Sequence, residues 1–361
     1  MNIVFDNIIF SLQRTGGISV VWYEFISRYL KEYPAYARFI DYDARDNIFR
    51  KQLGIPADKI ISSDRSFLKL KRYLPIHIKP EWSGPFIFHS SYYRICPDKN
   101  VVNITTVHDF TYEYYRTGVS KMLHTWQKNR AIRGADFIIC ISENTKNDLL
   151  KFLPDVDERK IRVIYNGVSE EYMPIIGNVL DKNLPFSVNS YVLFVGSRAS
   201  YKNFYIAVEA IADSDYNFVI VGDPLTERES SILSSLFKGR NRYKCVGRVS
   251  NCFLNVLYNY AFALLYPSSY EGFGIPIIEA QKAGCPAIAY NASSIPEIIG
   301  NPRLLINTLS VNEIHNCLMI LTNKEERQHI ILEGIKNARR FSWDEMYKNI
   351  IDLYKEAWNM R

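Results

Sequence analysis

The strongest constraint on how this chain folds is a rhythm that runs twice. Short apolar runs alternate with segments of helical period, the alternation stops once near the middle, and then it restarts. Ile3-Val-Phe5 is a short apolar run. It is followed by Thr15-Gly16-Gly17-Ile18 and then by apolar residues at Val21, Phe25, Ile26, Tyr29 and Leu30: a strand, a glycine loop and an amphipathic helix. Residues 86–89, 103–107, 137–141 and 161–164 read as further short buried strands, with Ser142 as a helix N-cap and Tyr165-Asn166-Gly167 as a turn. Between 174 and 190, Pro174, Gly177, Asn178, Asp181, Asn183, Pro185 and Asn189 erase the periodicity. The rhythm resumes with a strand at 191–195, a loop from Gly196 to Asn203 and a helix at 204–212. Strands at 218–221, 243–246, 263–266 and 286–289 follow.

Two such runs predict an α/β protein of two doubly wound domains with mostly parallel sheets. The expected division is 1–175 for the first domain, 176–190 for a linker and 191–342 for the second. From 341 onward Met346, Ile350, Leu353, Tyr354 and Ala357 share one helical face, so the chain ends in an amphipathic packing helix. Ligands of such sheets bind at the carboxyl ends of the strands, and a cleft between the two domains is the expected site.

Composition narrows the class. With 47% hydrophobic and 23% charged residues in 361, the chain is neither disordered nor fibrous. No apolar run approaches the ~18 residues of a membrane-spanning helix. Asp6 stands where a signal peptide is basic, so a cytoplasmic protein is expected. The six cysteines form no Cys-x-x-Cys pair, which argues against a zinc knuckle or a disulfide scaffold. The net charge of +6 is uneven: residues 65–80 hold Arg65, Lys69, Lys71, Arg72 and Lys79 and no acid. A basic, aromatic-rich surface suits anionic substrates, sugars or a membrane, or is simply a solvated face.

The segment richest in chemistry is Pro267-Ser-Ser-Tyr-Glu271-Gly272-Phe273-Gly274-Ile275-Pro276-Ile-Ile-Glu279, directly after the strand 263–266. Its glycines let the backbone approach a ligand, and Pro276 suits the first turn of a helix. Free N–H groups at that helix start make an anion site. Glu271 lies before the helix and Glu279 about one turn inside it, so both can face one ligand. A helix cap with a surface glutamate is the plainer alternative.

This segment resembles the hallmark of the family 4 (group 1) retaining glycosyltransferases, enzymes of the GT-B fold with two facing Rossmann-like domains. The resemblance extends along nearly the whole chain. It takes in Gly16-Gly17-Ile18, Ser142-Glu-Asn-Thr145 and Val163-Ile-Tyr-Asn-Gly-Val168 in the first half. In the second half it takes in Phe194-Val-Gly196 through Lys202-Asn203 and Val246-Gly-Arg-Val-Ser250. It implies that the terminal helix, 343–361, crosses back to the first, acceptor-side domain, and that the second binds the nucleotide-sugar donor. Lys202 and Arg198 are then expected at the donor diphosphate. The family's arginine directly follows the glycine, whereas here Ser197 does and Arg198 comes one later. Glu279 is expected at the ribose hydroxyls and Glu271 at the donor sugar. The backbone of Gly272, Phe273, Gly274 and Ile275 is expected at sugar and phosphate, with Gly16 and Gly17 approaching the phosphates from the other domain. His108, at the end of the strand 103–107, is expected at the donor sugar. Asp109 and Tyr112 are candidates for the acceptor, or for packing.

There is no Gly-x-Gly-x-x-Gly after the first strand, no Walker sequence and no His-Glu-x-x-His. No metal or cofactor is expected. The implied activity is transfer of a hexose to a glycan, with mannose from GDP-mannose favoured, in bacterial surface-polysaccharide assembly (O-antigen, lipopolysaccharide or capsule). The alternatives are a UDP-glucose or UDP-N-acetylglucosamine donor, a nucleotide-sugar epimerase, or a nucleic-acid-binding protein built on Arg240, Arg242, Lys244 and Arg248. The last of these is disfavoured because those cations interleave with a strand pattern. A lipid-linked acceptor and weak attachment to anionic membranes through residues 65–79 are also expected. On a helix there, Phe67, Leu70 and Leu74 share a face and the cations take the other.

Overall fold

The computed structural model describes residues 1–42, 46–62, 68–78, 84–177 and 184–360. The chain forms two compact units, Met1–Gly167 together with Trp343–Arg361, and Val168–Ser342. The first holds a seven-stranded sheet of β1 (Ile3–Asp6), β2 (Ala37–Ile40), β3 (Ile60–Ser62), β4 (Phe86–Ser90), β5 (Val101–Val107), β6 (Phe137–Cys140) and β7 (Ile161–Val163). Their order is β3-β2-β1-β4-β5-β6-β7. The second holds β8 (Tyr191–Val195), β9 (Asn217–Val221), β10 (Tyr243–Gly247), β11 (Ala263–Tyr266), β12 (Ala287–Tyr290) and β13 (Leu305–Ile306), in the order β10-β9-β8-β11-β12-β13. Every pairing is parallel. Helices therefore cover both faces of each sheet, which is why β1, β4 and β11 are buried at every position rather than at alternate ones.

Both sheets reverse strand order once, between β1 and β4 in the first unit and between β8 and β11 in the second. The loops leaving those neighbouring strands diverge to opposite faces and open a crevice at the carboxyl edge. The glycine loop at Gly16 follows β1. The loop of Lys202 follows β8, and that of Glu271 follows β11.

The short strands β2, β3 and β13 are not legible as apolar runs; they lie toward the sheet edges, where pairing to an already formed neighbour sets the conformation. The first unit ends at Gly167, not at 175. Residues 168–175 belong to the second unit because its side chains satisfy their backbone: Asn255 Oδ1 accepts from Met173 N at 3.0 Å and Asn259 Oδ1 from Ile175 N at 2.7 Å. Residues 178–183 of the expected linker lie outside the described residues. Residues 184–190 join the second unit, where Asn189 N donates to the Tyr260 carbonyl at 2.8 Å. Among the described residues, the helix anticipated within 65–79 is the single turn Leu68–Lys71; Arg65, Phe67 and Lys79 lie outside the described residues.

The C-terminal helix Trp343–Asn359 packs into the core of the first unit through Met346, Ile350, Leu353, Tyr354 and Ala357. Tyr354 is fully buried, its ring set edge-on to Phe25, and its hydroxyl lies 2.5 Å from His89 Nδ1. Replacing Tyr354 by Phe strands a buried imidazole nitrogen and is expected to cost about 1–3 kcal/mol. Tyr354→Ala adds a cavity and should cost about 3–5 kcal/mol. Urea unfolding monitored in the first unit checks both values and their order.

Candidate functional site

In the second unit the crevice between β8 and β11 brings together the two sequence segments richest in expected site residues. The loop 196–203 ends in a short helical turn, Ser200–Lys202, and Asn203 then takes left-handed backbone with φ 52°. The Asn203 amide donates to the Pro267 carbonyl at 2.8 Å and to Ser269 Oγ at 2.7 Å, while Ser269 N donates to the Tyr201 carbonyl at 2.8 Å. These bonds tie the β8 loop to the β11 loop. They set the Lys202 ammonium on the Glu271 carboxylate, with the Tyr266 hydroxyl 3.3 Å from Lys202 Nζ. Both charged side chains are mostly buried, at 13% and 12% exposed, so their attraction is far less screened than that of a surface pair.

The Glu271 turn is fixed from behind. Ser293 Oγ accepts from Glu271 N at 2.8 Å, and Ser294 Oγ donates to the carbonyls of Glu271 and Phe273 at 3.0 and 2.9 Å. Gly274 then caps the helix Ile275–Lys282 with φ 105°, a conformation that a residue with a Cβ adopts only under strain. Phe273 is buried edge-on against Phe341, so only its backbone is available to a ligand. On the same helix, Glu279 accepts from the Tyr258 hydroxyl at 2.9 Å. Burial pushes its carboxyl up to about 7, against the opposing effect of hydrogen bonds from Tyr258 and Tyr172.

Arg198 stands differently from its expected place on a diphosphate. Its Nε meets Glu229 at 2.7 Å, and its other nitrogens donate to the carbonyls of Asp223 and Pro224 at 2.9 and 2.7 Å. The guanidinium is nearly buried and clamps the loop after β9 onto the loop after β8. Gly222 makes that closeness possible, because a Cβ there would sit 2.5 Å from the Gly196 carbonyl oxygen.

In the first unit the carboxyl ends of β4 and β5 and the helix Gly17–Glu32 line a small apolar recess, with Trp22, Ser91, His89, Thr106, His108 and Asn166 among its walls. Burial lowers the His108 imidazole to about 4 and that of His89 to about 3, so both are neutral at physiological pH. His89 Nε2 lies 3.0 Å from Thr106 Oγ1. Gly16 precedes the helix, and a Cβ there would overlap the Gln13 amide; Gly17 is its exposed first residue, with open space where a Cβ would be. Asp109 and Tyr112 have packing duties. Asp109 Oδ1 accepts from Thr111 N at 2.8 Å, and the Tyr112 ring stacks on His124 at 3.8 Å. Beneath them the buried Lys128 donates to Glu113 at 2.6 Å and to the Asp109 carbonyl at 3.0 Å.

His89, Asn203, Tyr258, Tyr266, Glu229 and the Ser293-Ser294 pair were not among the expected site residues. His89 carried a readable signal, a histidine near the carboxyl end of an apolar strand, like His108. The two serines carried none, because only the adjacency of β11 and β12 brings them to Glu271.

The chain is similar to known proteins in sequence and fold. Residues 180–341 match the family profile described as glycosyl transferases group 1, and residues 15–172 match glycosyltransferase family 4. The chain is 30% identical over 230 residues to an uncharacterized glycosyltransferase of Methanocaldococcus jannaschii, covering 63% of this chain and 61% of that protein. It is 24% identical to O-antigen chain mannosyltransferase B of Escherichia coli, over 75% of this chain and 74% of the relative. An Escherichia coli UDP-Gal:alpha-D-GlcNAc-diphosphoundecaprenol alpha-1,3-galactosyltransferase is 28% identical over 70% of this chain and 68% of its own. Among solved structures, Anabaena HepE in complex with UDP-glucose superposes with a TM-score of 0.71 at 17% identity, covering 99% of this chain and 100% of that one. The two parallel sheets and their helices are those of GT-B proteins.

The raised Glu279 carboxyl gives a pH test. The folded state holds this proton up to about 7, whereas an unfolded chain releases it near the ordinary glutamate value of 4.5. Stability from this group is therefore present below that value and is lost as pH rises toward 7. Glu279→Gln should remove this slope, gaining about 2–3 kcal/mol over wild type at pH 8 and little at pH 4. Urea midpoints of the second unit across that range check it.

Proposed function

The chain belongs to the group 1, family 4 glycosyltransferases, enzymes of the GT-B fold, and on that premise we propose that it moves a hexose from a nucleoside-diphosphate sugar to a glycan acceptor, with retention and without a metal ion. The observation that bears most weight is the Lys202–Glu271 pair at the β8/β11 crevice, beside the start of the helix Ile275–Lys282. A cation and a carboxylate held together suit a ligand that is both anionic and hydroxylated, as a sugar diphosphate is.

When donor binds, its diphosphate competes with Glu271 for the Lys202 ammonium and takes hydrogen bonds from backbone N–H groups near Gly274 and Ile275. As the bond from the anomeric carbon to the phosphate oxygen lengthens, negative charge grows on the departing phosphate and positive charge on the sugar. Lys202 stabilises the first more in the transition state than in the ground state. Glu271, released to the sugar, holds its hydroxyls and favours the second. The acceptor oxygen bonds to the anomeric carbon on the face the phosphate leaves, and its proton passes to the departing phosphate oxygen. Glu279 in its ionised form accepts from the ribose hydroxyls. His108, as a neutral imidazole, exchanges hydrogen bonds with a sugar hydroxyl without adding charge. Arg198 acts through the 223–229 loop that it clamps.

Among the described residues no three His, Cys, Asp or Glu side chains are grouped to hold a metal ion. The similarity to a mannosyltransferase supports mannose as the sugar moved, for which we propose GDP-mannose as donor. The galactosyltransferase relative favours a UDP-sugar and an acceptor carried on a lipid diphosphate in surface-polysaccharide assembly. Among the described residues no helix is long and apolar enough to cross a membrane. We place the enzyme on the cytoplasmic side, where nucleotide sugars are made. A hydrolysis screen of GDP- and UDP-sugars names the donor: slow release of one nucleotide is expected. Turnover to an isomeric nucleotide sugar with no acceptor present would instead mark an epimerase.

Lys202→Ala and Glu271→Ala should each lower kcat by about 10²–10³; each also leaves a mostly buried partner charge unpaired and so lowers the unfolding midpoint, and turnover is compared below both midpoints, where the variants are folded. Wild-type turnover in either variant would remove the residue from the site. Activity should survive EDTA, and an NMR spectrum of the product should show the donor's anomeric configuration. A restorable Mg²⁺ or Mn²⁺ requirement, or an inverted product, would overturn the mechanism.

A further inference from the structure

The helix Gly118–Arg133 is built inside out. Its buried positions are His124, Gln127, Lys128, Ala131 and Ile132. Its outer stripe at helical spacing is apolar: Val119 is 73% exposed, Met122 67%, Leu123 37% and Trp126 48%. Beside it lies the segment 68–74, joined to it by hydrogen bonds from Gln127 to the Arg72 carbonyl at 2.8 Å and from Arg130 to the Tyr73 carbonyl at 3.2 Å. That segment adds Leu70 at 69% and Leu74 at 55% exposed.

The two segments that carry the stripe contain cations and no acid. Residues 114–135 contain Arg116, Lys121, Lys128, Arg130 and Arg133 and no Asp or Glu, and residues 68–78 contain Lys69, Lys71 and Arg72 and none. Lys128 is consumed internally by Glu113, and Arg133 pairs with Asp155. Arg116 and Lys71 lie at the exposed margin, and the Arg130 guanidinium stacks over Trp126 at 5.4 Å from the ring centre. An apolar ridge capped by a tryptophan and rimmed by cations matches the interface of an anionic bilayer: acyl chains receive the ridge and headgroups the rim. A protein partner of ordinary mixed charge would match a cationic rim less well than a uniformly anionic surface does.

We propose that the outer face of the helix Gly118–Arg133, with Leu70 and Leu74, docks the enzyme on an anionic lipid bilayer. The membrane-facing segment is thereby moved from residues 65–79 alone to a surface centred on Trp126. The proposal rests on the reading of a lipid-linked acceptor for its purpose, but its test does not depend on transfer.

The full chain is floated with vesicles of phosphatidylglycerol or of phosphatidylcholine, at low and high salt, beside the variant Val119→Ser/Met122→Ser/Trp126→Ser and the single variant Trp126→Ser. Wild type should rise with phosphatidylglycerol at low salt and be released by high salt or by neutral lipid. The triple variant should lose about tenfold or more of that binding and the single variant part of it. Both should keep the wild-type thermal midpoint and nucleotide-sugar hydrolysis, which tests the transfer reading separately. Failure of wild type to bind phosphatidylglycerol at low salt, or equal binding by the triple variant, would overturn the proposal. So would light scattering that shows a dimer made monomeric by the triple variant, with no vesicle binding; the face would then be a contact between two copies of the chain.

Discussion

Parallel pairing is the constraint on which the rest of this chain depends. A parallel strand cannot return through a tight turn, so each strand must be succeeded by a crossover, usually a helix packed on the sheet. All strands then end at one edge, and every loop that carries chemistry leaves from that edge. The sheet's hydrophobic requirement consumes the strands completely, leaving residues such as those of β1 and β11 no surface of their own. Function is confined to the loops and helix starts at the strands' carboxyl ends. Reversal of strand order supplies the gap, and Lys202 and Glu271 stand on the loops that border it.

Holding those two residues together costs desolvation, which neighbouring polar groups offset. An ion pair this buried gains from its own attraction only when its remaining hydrogen-bonding capacity is met and its backbone is rigid. Tyr266 approaches the ammonium, Asn203 fixes the loop bearing Lys202, and Ser293 and Ser294 fix the loop bearing Glu271. The pair is thereby preorganised, with the Lys202 ammonium desolvated and fixed in direction before any ligand arrives. Arg198 and Glu229 make a second buried pair, which rigidifies the loop after β9.

The pattern of apolar runs was enough to place ten strands and the two α/β halves, because burial on both faces leaves a continuous apolar signature, and helical spacing placed the last helix; its return to the first unit was implied by the family resemblance. The apolar pattern missed β2, β3 and β13, whose conformation comes from a neighbour, and it placed the domain boundary too late. The backbone of Met173 and Ile175 is satisfied by asparagines more than eighty residues away, which no local reading detects. Within the site, Glu271, Glu279 and Lys202 were legible because glycines and a proline mark their loops. The serines behind Glu271 were not, since only sheet order makes them neighbours. Arg198 shows what a local reading omits. A cation in the right loop suggests a phosphate ligand, but its direction depends on Glu229, thirty-one residues on.

The helix Gly118–Arg133 has polar residues inside because they hold the loop that presents His108. Lys128 donates to the Asp109 carbonyl and to Glu113, its ammonium lies 3.9 Å from the centre of the Phe110 ring, and His124 stacks on Tyr112. Lys128 is fully buried, and its desolvation is tolerable only while Glu113 and that carbonyl remain in place. The apolar residues of the same helix are correspondingly displaced outward. A single turn pattern thus produces both the rigid loop at the carboxyl end of β5 and the exposed ridge of Val119, Met122 and Trp126. A rotation of the helix that buried the ridge would unpair Lys128 and release the Asp109 carbonyl. The exposure of the ridge and the placement of the His108 loop are therefore two consequences of one buried ion pair.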